Sequence, residues 1–255
     1  MQTVVTLPPK ANRKTAGLSL LFYPVGVYRI WKTRTRLWIR LLYTLVGLPV
    51  FLLVFSFLAI TGFALPLPDL DLSMGYRNDR TVINSMDNYA TTFLKSGSET
   101  DGAYELVRVE LGPQGGNDWH YHKTFDEQFT VEEGEVTIGL DGKEIRLKKG
   151  ESATAYKTHL HFFQNKTATK AVLRVKVTPA RGLEKSIRIA YGLGNTGQWE
   201  KDGFAKNPWH LFLVMGYSES YLPGMPAFIE EPLIKSLAKI GQWKGEDKAL
   251  QVFIR

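Results

Sequence analysis

The 255-residue chain contains no cysteine. Disulfides, thiolate metal sites and a cysteine nucleophile are thereby excluded, and the redox compartment is left unreadable. Acids are missing from the start. The first 40 residues hold Lys10, Arg13, Lys14, Arg29, Lys32, Arg34, Arg36 and Arg40 and no aspartate or glutamate. That arm alone is +8 against +7 for the whole chain, so residues 41–255 sum to −1. The basic pI belongs to one terminal arm. A nucleic-acid partner would need a basic face on the folded body; none is indicated, and no nucleic acid is expected. Internal repeats and low-complexity runs are absent too.

Charge is also lacking from Leu41 to Leu65, LLYTLVGLPVFLLVFSFLAITGFAL. As a helix these 25 residues extend ~37 Å, more than the ~30 Å hydrocarbon layer of a bilayer. A buried core helix of that length would normally carry a polar face. Gly47 and Pro49 weaken a helix in water but are tolerated in a membrane. The reading is one transmembrane helix over residues 37–65, with lipid as its partner through residues 41–65. All eight basic residues precede it, whereas Pro66-Leu-Pro-Asp69-Leu-Asp71 follows. The positive-inside rule puts the amino terminus in the cytoplasm and residues 66–255 outside it, periplasmic in a bacterium. The long charged lead and long apolar run suit an uncleaved signal anchor better than a cleaved peptide. Within the arm, residues 1–36, the apolar patch Gly17–Tyr28 is too short to span. With Tyr23, Tyr28, Trp31 and Trp38 among arginines it suits the cytoplasmic interface, facing anionic lipid or a membrane protein partner.

Residues 66–99 read as a linker and lead-in. The stretch 81–95 is a strand or a short helix. Period-two alternation then marks strands over 100–180: Val107, Val109 and Leu111 share one face, and Glu127, Phe129 and Val131 share another. Asp141-Gly142 is a hairpin signal. Short antiparallel strands separated by glycine turns indicate a sandwich or small barrel. Beyond Pro179, residues 181–255 form a helical extension. One helix starts at an Asn207 cap with Pro208 in its first turn, and a second covers Ala227 to Gln242. Both are expected to cover an open barrel edge.

Four of the five histidines lie between Trp119 and Asn165. On a strand His120 and His122 project to one side, and Tyr121 to the other. Two converging imidazoles chelate. Glu127 follows on the next strand and faces an apolar interior, where a carboxylate is costly unless paired or metal-bound. Asp126 is out of phase. A further ligand comes from His161 or His159, which share a face.

These residues resemble the two motifs of the cupin superfamily. The first, G-x5-H-x-H-x3–4-E-x6-G, stands here as His120, His122, Glu127 and Gly134; the second, G-x5-P-x-G-x2-H-x3-N, as Gly150, His161 and Asn165. Gly115 and Gly116 sit closer to the histidines than the pattern asks. Tyr156 replaces its proline and Thr158 its second glycine. The resemblance covers roughly residues 100–180 and implies a mainly β fold: one cupin-type antiparallel, jelly-roll-like β-barrel, between the transmembrane helix and the helical extension. It implies that His120, His122, Glu127 and His161 bind a divalent transition metal. Such a donor set suits iron, manganese or nickel more than zinc or copper. Tyr104, Trp119, Phe129, Phe162 and Phe163 are candidate pocket walls; Lys157, His159 and Gln164 are candidate proton carriers. The functions that follow are an oxygenase or isomerase acting on a small organic molecule, a non-catalytic ligand-binding module, or a structural subunit of a membrane complex. A homodimer is possible within this reading. No catalytic side chain is assigned.

Overall fold

The computed structural model describes residues 23–74, 77–200 and 204–254. The chain separates into two units, Met1–Phe63 and Ala64–Arg255.

In the first unit, helix α1 (Tyr23–Lys32) packs on helix α2 (Leu37–Ala64). The Tyr23 hydroxyl donates to the Thr44 carbonyl, and the Trp31 indole N–H donates to Thr44 Oγ1 at 3.1 Å. The Tyr23 ring stacks on Phe51 with centroids 5.4 Å apart. Gly47 permits this approach, since a Cβ there would lie 2.7 Å from the Tyr23 ring. Helix α2 is 28 residues long, runs unbroken through Pro49, and is long and apolar enough to cross a membrane. The start of the apolar patch, residues 17–22, and Lys10, Arg13 and Lys14 lie outside the described residues.

The second unit is a β-sandwich with added helices. Its strands are β1 (Thr81–Asn84), β2 (Tyr89–Lys95), β3 (Glu105–Leu111), β4 (Tyr121–His122), β5 (Asp126–Glu133), β6 (Glu135–Leu140), β7 (Lys143–Lys148), β8 (Ser152–Ala155), β9 (His161–Gln164) and β10 (Ala171–Thr178). Helix α3 (Leu183–Asn195), helix α4 (Pro208–Ser218), strand β11 (Ser220–Tyr221) and helix α5 (Ala227–Trp243) follow. Six strands form one sheet in the order β1-β2-β3-β10-β5-β8; β7-β6-β9 form a second and β11-β4 a third. Two strands thus come from the 66–99 lead-in. Inward side chains of the larger sheets, among them Phe93, Val107, Leu111, Phe129, Ile138, Phe163 and Leu173, make the main core. At ~1.5–3 kcal/mol for each fully buried large apolar side chain, this cluster outweighs any single polar contact in the unit.

The sheets do not join into the closed barrel expected from the motifs. The six-stranded sheet ends at β1 and β8, and no strand bridges it to β7 or β9 among the described residues. The helix at that edge differs from expectation as well. Helix α3 packs on β1 and adds Leu183 and Tyr191 to the main core. Helices α4 and α5 pack on each other and on the final 3-10 turn, Glu246–Phe253, and through Met215 and Ile234 they cover Tyr121 of β4 and Tyr221 of β11. The physical reason lies in α3, which buries its charged Glu184, Lys185 and Arg188 along with Ile189 and Leu193. A pattern read for exposed polar residues passes over such a helix.

Two local expectations hold to the atom. Asn207 caps α4, its side chain accepting from the Trp209 N–H at 3.0 Å with Pro208 in the first turn. The β6–β7 hairpin turns on Asp141 (φ 47°) and Gly142 (φ 80°), the paired positive angles of a type I′ turn.

Candidate metal centre

Strands β4, β5 and β9 bring His120, His122, Glu127 and His161 together. One ligand-capable atom from each lies within 4.8 Å of every other. His122 ends β4, and His120 just before it forms an isolated antiparallel bridge with His161 at the start of β9. The bridge is a reciprocal backbone pair: His120 N donates to His161 O at 3.0 Å, and His161 N to His120 O at 2.8 Å. Glu127 rises from β5, on the face it shares with Phe129 and Val131. His122, Glu127 and His161 are buried, at 3%, 6% and 2% exposure, and His120 is half-buried.

Each imidazole is oriented from behind. Nδ1 of His120 donates to the Asp118 carbonyl at 2.8 Å, that of His161 to the His159 carbonyl at 2.9 Å, and that of His122 to the Ser218 carbonyl at 3.1 Å. A carbonyl only accepts, so each Nδ1 carries a proton and each Nε2 faces the cluster, as a free lone pair on His120 and His122 and against Glu127 Oε2 on His161. Ser220 Oγ also lies 3.1 Å from His122 Nδ1. The Phe125 ring stacks on His122 with centroids 4.1 Å apart and holds its plane.

The electrostatics match a ligand set. Burial drives His120 down to about 4, helped by the neighbouring His161, and it drives His122 down to about 3. Both rings are therefore neutral near neutral pH. Burial alone would raise the Glu127 carboxyl, but the His161 hydrogen bond and the three imidazoles outweigh it and bring it to about 2. Burial likewise opposes protonation of His161, yet its 3.0 Å contact with Glu127 Oε2 wins and raises it. The carboxylate and one protonated ring thus satisfy each other where a cation would otherwise sit. Three imidazole nitrogens and one carboxylate, buried and pre-oriented, fit a divalent transition metal.

The open choice between the two carboxyl-half histidines is decided by the hairpin turn. His159 Nδ1 bonds Asp141 Oδ2 at 2.6 Å and stays half exposed, so it supports the site only through its backbone carbonyl. Asp126, as its phase requires, faces away and accepts the Lys157 N–H at 2.7 Å. Of the proposed walls, Phe129 lies 6.0 Å from His161 ring to ring and Phe163 packs behind it. Tyr104 does not reach the site; its ring sits under Lys176 Nζ on the outer face of the large sheet. Trp119 and Phe162 pack edge to face against each other, beside Gly139. Gln164 pairs with Thr137 and Gly116 at the far end of β9. The residues missed from the sequence are Ser218 and Ser220. They lie nearly 100 positions from His122 and arrive because β11 pairs with β4, Ser220 opposite His122; no local signal announces that pairing.

Residues 107–177 match the family model described as Cupin domain. This stretch is a cupin domain. An uncharacterized protein of Aquifex aeolicus (strain VF5) is 34% identical over 70 residues, 28% of this chain and 57% of that protein. The chain thus spans little more than half the length of the curated relative it matches. Solved structures similar to the cupin domain include KdgF from Halomonas sp., at 17% identity over 37% of this chain and 81% of that one, TM-score 0.34. An RmlC-like cupin from Shewanella frigidimarina NCIMB 400 is similar at 20% identity over 42% and 90%, TM-score 0.35.

The two cupin motifs also explain residues that are not ligands. Asn165 is fully buried, and its Nδ2 donates to the carbonyls of Leu111, Gly112 and Thr169. It ties β3 to the turn after β9, a strut and not a ligand. Thr158, standing where the motif has glycine, adopts φ 69° while its N–H donates to the His122 carbonyl at 2.7 Å.

Proposed function

We propose that this chain is a membrane-anchored, metal-dependent cupin that binds a small organic molecule at a divalent transition metal held by His120, His122, Glu127 and His161. The observation that carries the reading is the cluster itself: four ligand atoms within 4.8 Å, with each ring fixed from behind by a backbone carbonyl. Iron, manganese or nickel suits three imidazoles and a carboxylate better than zinc or copper, because an octahedral ion keeps two positions for a ligand. Bound there, the metal supplies Lewis-acid or redox chemistry. The chain's own part is to hold His120 and His122 neutral and aimed, to exclude water with Phe125 and Phe129, and to hold the His161 proton against Glu127. Oxygenase or isomerase chemistry is the activity assigned to the site.

Helix α2 is the anchor in this reading. The basic arm lies in the cytoplasm against anionic lipid, and the cupin domain stands outside the cytoplasm. A second reading has its own support: three of the four ligands are nearly fully enclosed, which favours a metal that only stabilises a binding module or a subunit of a membrane complex.

Elemental analysis of the purified chain beside a His120→Ala/His122→Ala variant tests the metal. About one transition-metal ion per wild-type chain and none in the variant is expected; equal contents in the two end the reading. Colorimetric turnover screens of the loaded protein then separate enzyme from binding module. Protease access in intact cells tests the orientation, where cleavage of the cupin domain only after lysis would reverse it.

A further inference from the structure

A second cleft, of about 370 Å³, opens between the start of β3, the start of α3 and the segment around Leu72, and none of the four clustered ligands lines it. Four cationic side chains do: Arg77, Arg80, Arg181 and Lys185. Arg80 is matched by Glu99. Arg77 is matched only in part: Asp79 takes its Nε and Nη2, each at 2.7 Å, while its Nη1 is buried with no hydrogen-bond partner among the described residues.

Lys185 is 3% exposed, and its ammonium donates to the carbonyls of Asp71 and Ser73 at 2.5 and 3.3 Å. No carboxylate bonds it; Asp71 and Asp247 act on it only through space. An ammonium has three donors; beyond the two carbonyls this one lies over the Tyr217 ring, 4.6 Å from its centroid. The buried charge is thus solvated by dipoles and a ring but carries no anion beside it among the described residues. Arg181 is exposed, and among the described residues its side chain donates only to the adjacent Ala180 carbonyl.

The acids of the cleft do not absorb this surplus. Glu184 is taken by Arg188 and by the Ser96 hydroxyl. Glu105 is taken by the backbone N–H groups of Arg181 and Glu184, at 3.0 and 3.1 Å. Apolar Leu72, Met74 and Ala180 complete the lining.

We propose that this cleft binds the phosphate group of an organic phosphate ester, with Arg77, Arg181 and Lys185 donating to its oxygens and Leu72 and Met74 against its organic part. Three donors from two stretches of chain, Arg77 on one side and Arg181 with Lys185 at the start of α3 on the other, suit a tetrahedral oxyanion better than a planar carboxylate, which two donors satisfy. A soluble phosphate ester and the headgroup of an anionic phospholipid share this chemistry. Leu72 follows the end of α2 by eight residues, at most ~28 Å of extended chain; the lipid source alone rests on the membrane reading.

The test uses the full chain in detergent, stripped of metal with a chelator, and isothermal titration with two probes, glycerol 3-phosphate and dihexanoyl phosphatidylglycerol. Saturable binding of at least one is expected, weakened tenfold or more in Arg181→Ala and in Lys185→Met. Binding of the lipid alone names a headgroup site; binding of glycerol 3-phosphate identifies a soluble ester. Should Lys185→Met fail to fold, the exposed Arg181→Ala decides. No saturable binding of either probe, or binding unchanged in the variants and hence located on the basic arm, overturns the proposal.

Discussion

Glu105 and Glu127 flank one residue: Val177 of β10 pairs with Glu105 on one side and Glu127 on the other. Two strand spacings, ~10 Å, separate their backbones, and both side chains are buried. Their fates diverge with what meets them. Glu127 faces three imidazoles and falls to about 2. Glu105 meets the backbone N–H groups at the start of α3, and burial, helped by the neighbouring Glu184, pushes it up to about 7.

That difference predicts a pH-dependent stability. Glu105 is raised from its ordinary 4.5 to about 7. The folded chain therefore holds its proton through a range where the unfolded chain has lost it, and stability declines as pH rises from about 4.5 to about 7. A shift of that size is worth about 3 kcal/mol. Glu105→Gln has no proton to lose, so it should gain on wild type by that order across the window and by nothing further above it. Urea midpoints at several pH values measure the difference; a constant gap would refute the account.

The Asp141 contact makes the two carboxyl-half histidines separable. His161→Ala should abolish metal uptake, while His159→Ala should leave stoichiometry unchanged and affinity within a few-fold. Elemental analysis of both variants reads this out, and loss of metal from the His159 variant alone would reverse the assignment.

Metal binding should also release a proton. His120 and His122, at about 4 and 3, are already neutral near neutral pH, whereas the raised His161 keeps a proton on the nitrogen facing Glu127. Loading displaces that proton, so affinity should fall about tenfold per pH unit as pH drops below the His161 value. Calorimetry in buffers of different ionisation enthalpy should register proton release on loading, growing as pH is lowered. A count of zero would mean that His161 is no ligand.

Support of His122 from the carboxyl-terminal strand predicts that Ser220→Ala weakens metal affinity, by up to about tenfold, because the orienting partners of metal-bound imidazoles are worth 10–100-fold. The Ser218 carbonyl remains in place, which keeps the loss at the lower end. An unchanged Kd in competition with a chromophoric chelator would leave the serine without a role.

Thr158 at φ 69° is a β-branched residue in a conformation that costs roughly 1–2 kcal/mol. Thr158→Gly relieves that strain and restores the motif residue, against roughly 0.5–1 kcal/mol of added freedom in the unfolded chain. A net gain of about 0.5–1 kcal/mol is expected, seen as a higher Tm with metal content unchanged. A lower Tm would show that Thr158 makes contacts worth more than the strain.

Much of this was legible one residue at a time. Alternation assigned His120, His122, Glu127 and the out-of-phase Asp126 to their faces; Asp141-Gly142 announced its turn, and Asn207-Pro208 its cap. Each is a short-range effect, set by backbone geometry within a few residues. Tyr104 marks the limit of local periodicity. Its residue type suits a site wall, but its neighbour Glu105 holds the inward phase of β3 with Val107, Val109 and Leu111. A carboxylate reads as an outward residue unless something distant satisfies it.

What the linear order determined, then, is the donor set of three histidines and a glutamate, the apolar helix and the strand phases, because each depends on residue type and local periodicity. Only the tertiary structure could decide between His159 and His161, leave the sheets as a sandwich covered at one edge by α3, and carry Ser218 and Ser220 to the back of His122. Those outcomes depend on which distant groups meet in a water-poor interior. There a single hydrogen bond to a far residue settles the orientation of a side chain that sequence position leaves free.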